Sequence, residues 1–178
     1  IIKTSFGYPR DIFRRYGTTA PENWYSYLAT GTAGTSGNPS INNIRAFPFI
    51  VQKQCVLDRI AINVITAGAS SHFRLGIYND DGNVYPNNLL LDAGIVDTST
   101  TGVKAISINL TLNPGLYWLV CNGDGTAPYV RSFAIAGLQT GYAVGFTNAL
   151  GTAPGFGYTY ALAYGALPTT FGAGATPI

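Results

Sequence analysis

In Ala105-Ile106-Ser107-Ile108-Asn109-Leu110-Thr111-Leu112 the large apolar side chains fall on every second residue. Side chains of an extended chain alternate between two faces, so this run predicts a strand with one face buried and one face wet. The same period returns on either side of it. Ile60, Ile62 and Val64 alternate with Arg59, Ala61 and Asn63, and Phe73, Leu75 and Ile77 alternate with Arg74, Gly76 and Tyr78. Further strands are predicted at Phe47–Gln52, Leu89–Asp92, Leu116–Cys121, Tyr129–Ile135, Tyr142–Phe146 and Phe156–Tyr164.

Between these runs lie Asn79-Asp80-Asp81-Gly82-Asn83, Asn113-Pro114-Gly115 and Asn122-Gly123-Asp124-Gly125. Each places Gly or Asn where a turn needs positive φ. Helix formers are scarce: Glu22 is the only glutamate, there are three lysines, and methionine is absent, while Val, Ile, Thr and Tyr stand in their place. Short strands at close spacing with no helical stretch predict an all-β fold. The expected architecture is an antiparallel β-sandwich, jelly-roll-like, preceded by an extended irregular N-terminal arm. No fixed-period repeat points to a propeller or solenoid.

The chain of 178 residues suits one domain. Residues 1–44 read as the arm, a docking and assembly segment, and 45–178 as the sandwich. The arm carries four of the ten basic residues, with Arg45 just beyond it, and the aromatic-dense Asn23-Trp24-Tyr25-Ser26-Tyr27-Leu28. Such a segment is expected to lie on its own domain or on a neighbour through Arg14, Arg15, Trp24, Tyr25 and Tyr27. Ile1 follows no initiator Met, so the chain is expected to begin at a proteolytic cut or inside a longer sequence.

Only 10% of residues are charged and the net charge is +2, so no strong field exists to hold nucleic acid or an anionic membrane. No apolar stretch approaches the roughly 18 residues of a membrane span. Cys55 and Cys121 read as two buried free thiols or as one inter-sheet disulfide.

Catalysis finds little to work with. His72 is the single histidine, beside Ser70 and Ser71, and a Ser-His-Asp relay needs that imidazole to reach both a hydroxyl and a carboxylate. Most aspartates sit in turns, where they bond local backbone instead of facing a partner across a sugar. Transition-metal clusters lack the necessary Cys and His, and the Asn79–Asn83 loop lacks the later glutamate of a calcium loop. No catalytic residue, metal or cofactor is expected.

Aromatics are the remaining resource. Phe156, Tyr158, Tyr160, Leu162 and Tyr164 fall on one face of a predicted strand. That face suits a core strand whose hydroxyls reach the rim, a subunit interface through Phe156, Tyr158, Tyr160 and Tyr164, or a sugar platform. A host glycan would be contacted by Tyr78 and Tyr85, with Asp80, Asp81 and Asn83 bonding hydroxyls, and Tyr129 and Tyr142 are further stacking candidates.

A longer pattern runs from Arg45-Ala46-Phe47-Pro48-Phe49-Ile50-Val51 through Leu57-Asp58-Arg59-Ile60 and Phe73-Arg74-Leu75-Gly76-Ile77-Tyr78-Asn79-Asp80. It continues with Pro86, Leu89-Leu90-Leu91-Asp92-Ala93-Gly94, Val96-Asp97-Thr98 and Gly102-Val103-Lys104, and closes at Leu112-Asn113-Pro114-Gly115-Leu116-Tyr117-Trp118-Leu119. In order and spacing, residues 45 to 120 resemble a jelly-roll domain of tailed-bacteriophage virion surface proteins of the tail-tip, fibre or decoration type. Asn87-Asn88 depart from that pattern, which expects a glycine after Pro86. The resemblance implies a non-enzymatic virion structural protein on the particle surface, with Asp58 and Arg59 as a framework pair. Its partners would be copies of itself, as a homo-oligomer and most readily a trimer, and other virion proteins. A carbohydrate-binding module recognising a host surface glycan is the alternative.

Overall fold

The computed structural model describes residues 15–16, 24–25, 33–133 and 157–178, with side chains described over 37–131 and 157–178. Every strand pairing among them is antiparallel, and they contain no helix. The chain is an antiparallel β-sandwich, as its alternation predicts.

One sheet has four strands, in the order β3 (Ala33–Gly37), β10 (Tyr129–Phe133), β5 (Cys55–Thr66) and β8 (Gly102–Leu112). The other has six: β12 (Thr176–Pro177), β11 (Tyr158–Ala161), β4 (Asn43–Val51), β9 (Gly115–Gly123), β6 (His72–Asp80) and β7 (Pro86–Asp97). A separate two-stranded ribbon joins β1 (Arg15–Tyr16) to β2 (Trp24–Tyr25). Strand β3 is an edge strand of the four-stranded sheet, and β4 begins at Asn43.

The core between the sheets joins Ile60 of β5 to Phe73, Leu75 and Ile77 of β6 and Val96 of β7. Leu57, Ile62, Ile106, Ile108 and Leu110 pack around them. The alternation along β8 therefore does what period two dictates: its even-numbered side chains turn inward and its odd-numbered ones face water.

Strand β6 of the six-stranded sheet is buried on both faces. Gly76 and Tyr78, on the opposite side of β6 from Phe73 and Leu75, are also buried. They lie under residues 162–175, a C-terminal strap that crosses that face before β12. Strap residues Leu167 and Phe171 close a second core with Ile44, Ala46, Tyr78, Trp118 and Val120. The approach is close: a Cβ on Gly76 would stand 2.3 Å from Leu167 Cδ1 and 2.7 Å from the Leu91 carbonyl oxygen. Where Asn87-Asn88 depart from the resembled pattern, the strap pairs with them. Asn87 accepts from the Phe171 amide, Leu89 donates to the Thr169 carbonyl, and Asn88 bridges to Thr170.

Local chemistry explains two irregularities. The β6–β7 register slips by one residue between Leu75 and Gly76, and Gly94 sits at that bulge with φ 103°, which a side chain opposes. Pro48 interrupts β4 beyond Ala46, the last residue paired with β11, where the strand is an edge among the described residues and a missing N–H is tolerated.

Candidate functional site

The glycan residues proposed from sequence separate into two groups. Tyr78 is fully buried and donates its hydroxyl to the Pro168 carbonyl at 2.6 Å, so it offers no face to a ligand from solvent. Tyr85 is half-buried, donates to the Gly172 carbonyl and accepts from the Ala175 amide, which ties it to the strap. Asp80, Asp81 and Asn83 share the loop after β6. Asp80 Oδ1 accepts from the Gly82 amide at 2.8 Å, and Asp81 Oδ1 accepts from the Asn83 amide at 2.7 Å. The other Asp80 oxygen accepts from the buried Trp118 indole at 2.9 Å. These carboxylates hold the loop in shape, as aspartates in turns commonly do.

The rings expected at a subunit interface also divide. Phe156 lies outside the described residues, as do Arg14, Tyr27 and Tyr142. Tyr158 packs 4.7 Å from Tyr85 and 5.5 Å from Trp118, and Tyr160 packs 5.0 Å from Phe171, between ring centroids. Both join the core beneath the strap. Strand β11 ends at Ala161, so Leu162 and Tyr164 belong to the strap and the expected stripe is not one strand face. The residue that sequence reasoning missed is Phe171, which fills the space between Tyr78, Tyr85 and Tyr160. Its only sequence cue is an aromatic in a Gly-, Ala- and Thr-rich tail.

Of the arm residues, the backbones of Arg15, Trp24 and Tyr25 lie in the β1–β2 ribbon, with Arg15 opposite Tyr25 and Trp24 opposite Tyr16.

His72 opens β6 at the other end of the sheet. Its amide donates to Asp124 Oδ1 at 2.7 Å, and its Nδ1 lies 3.3 Å from the same oxygen. The neighbouring Ser71 hydroxyl is buried and bonds to Thr98 Oγ1. The contacts are those of loop stitching: the Asp124 amide donates back to the His72 carbonyl, and the Thr98 amide to that of Ser71. Among the described residues, no three His, Cys, Asp or Glu side chains gather where a metal ion could be held. No helix there is long and apolar enough to cross a membrane. Cys55 and Cys121 are free thiols, one in each sheet.

The outer face of the four-stranded sheet is the candidate surface. Opposite neighbours on β5 and β8 include Val56 with Thr111, Ala61 with Ala105 and Asn63 with Val103. Val56 is 62% exposed and Val103 60%. The one charged pair of that face on β5 and β8 is Asp58 with Arg59, whose Nε–Oδ1 distance is 3.0 Å, and it holds the Asp58 carboxyl below its ordinary value. At the edge of this face, Ile95, Asp97, Val103 and Lys104 line an open groove between β7 and β8. A bond from Ser99 holds the Asp97 carboxyl below its usual range as well. A sheet face with exposed valines, on which the charges of β5 and β8 pair with each other, suits contact with another protein surface and lacks the convergent polar groups of a small-molecule pocket.

No protein-family model matches the chain, no curated protein matches it, and no solved structure matches it.

Proposed function

We propose that the chain is a non-enzymatic structural protein of a tailed-phage virion. It is an oligomeric surface component of fibre, tail or head-decoration type, attached through its N-terminal arm. The observation that carries the reading is the outer face of the four-stranded sheet, where exposed Val56 and Val103, with Ala61 and Ala105, share the β5–β8 surface with uncharged Asn63, Ser107, Asn109 and Thr111, and Asp58 and Arg59 pair with each other. Burying such a face against a sister copy removes apolar area from water and desolvates little charge. The resemblance of residues 45–120 supplies the setting, and the sandwich is the architecture that the resemblance implies.

A host-glycan module has less support. Its loop carboxylates are occupied by their own backbone, and Tyr78 is buried.

Sedimentation of the purified chain tests the assembly. The expected species is a trimer, and Val56→Asp combined with Val103→Asp should yield folded monomers by circular dichroism. A wild-type protein that stays monomeric at about 100 μM, far above the dissociation constants of stable interfaces, would overturn the proposal. Electron microscopy of intact particles tests the location.

A further inference from the structure

Among the described residues, four buried side-chain atoms lack a hydrogen-bond partner: Arg45 Nε, Arg74 Nε, Asn122 Oδ1 and the Tyr164 hydroxyl. Native interiors rarely leave such groups unmet. Three of the four belong to residues that are neighbours in the fold. Arg74 on β6 stands directly opposite Asn122 on β9, and both lie on the sheet face that the strap covers. The Asn122 side chain is wholly buried. Its Nδ2 donates to the Leu162 and Ala163 carbonyls at 3.4 and 3.3 Å, so the strap passes over it and Tyr164 follows at once. Carbonyls only accept, and this fixes the amide with Oδ1 turned the other way. The Tyr164 phenol lies within electrostatic reach of Arg74, Asp92 and Asp124.

The chemistry of the three atoms selects an occupant. Arg74 Nε donates, Asn122 Oδ1 accepts, and a phenol does either. The charge is already balanced, because Arg74 Nη1 is bonded to Asp92 Oδ2 at 3.1 Å. An anion would meet Asp92 and Asp124, and a cation would meet Arg74. The close seat of Leu167 over Gly76 leaves the strap little slack for a larger molecule. A single water can accept from Arg74 Nε, donate to Asn122 Oδ1 and do either with the phenol, and buried waters typically make about three bonds to groups of this kind.

We infer that Arg74 Nε, Asn122 Oδ1 and the Tyr164 hydroxyl share one internal water that fastens the start of the C-terminal strap to the six-stranded sheet. This goes beyond the assembly reading and does not depend on it. A crystal structure that resolves solvent tests it directly. One water is expected within about 3.2 Å of all three atoms, whereas empty density or a protein group in that position overturns the inference. In solution, oxygen-17 relaxation dispersion counts waters that stay bound for microseconds. Tyr164→Phe keeps the ring but removes one of the three bonds, so it should lose one long-lived water relative to wild type. An unchanged count would overturn the inference equally.

Discussion

Asp80 shows how much one side chain can hold. One of its oxygens accepts from the Gly82 amide and the other from the Trp118 indole, whose ring is 1% exposed. Removing an acceptor strands a buried donor, which costs about 1–3 kcal/mol. Asp80→Ala should therefore lower unfolding free energy by about 2 kcal/mol in urea titrations followed by tryptophan fluorescence. Asp80→Asn, which keeps one acceptor oxygen, should lose less. That Asp80 would sit in a turn was legible in Asn79-Asp80-Asp81-Gly82-Asn83. Its bond to Trp118, 38 residues away, was not, because the partner is set by the pairing of β6 with β9.

Strands with clean alternation were legible, and strands shaped by their neighbours were not. Strand β8 matches its sequence pattern because one face is dry and the other wet. Strand β6 reads as half-buried, yet Gly76 and Tyr78 are buried too, and what buries them is the strap. Ala33–Gly37 has poor strand propensity, but pairing with β10 overrides it. Strand β7 extends on both sides of the predicted Leu89–Asp92, because bulges break the period that marks a strand. The strap depends on Phe171, which is 4% exposed and lies among three tyrosines. Phe171→Ala should cost about 3–5 kcal/mol, the usual loss for a buried phenylalanine. Leu90→Ala, at a 42% exposed position, should change stability by less than about 0.5 kcal/mol. Equal losses in chemical denaturation would contradict the strap's role in the core.

At the scale of the whole molecule, the buried acids favour their neutral forms. Burial pushes the Cys121 thiol up from 9.0 to about 11, with the Arg45 charge opposing it, and burial raises Tyr78, Tyr160 and Tyr164 above 10.0. In the unfolded chain these groups ionise at their ordinary values while the folded chain still holds the protons. Above about pH 9 the unfolded state thus binds fewer protons, and stability falls as pH rises. Their contribution is complete below pH 9 and declines from there through about pH 11 and beyond. Denaturation midpoints at pH 7, 9, 10 and 11 should fall in that order, and Cys121→Ala should flatten the first part of the decline. A midpoint constant to pH 11 would contradict this assignment.

The pairings of β4 also bear on how the chain is made. Ile44 meets Asn122 on one side and Tyr160 on the other, so β4 leaves the ribosome well before either partner exists. At about 5–20 residues per second, translation keeps this apolar strand waiting for several seconds. A nascent chain in that interval exposes Ile44, Phe47, Phe49 and Ile50 together, which makes it a natural client for a chaperone.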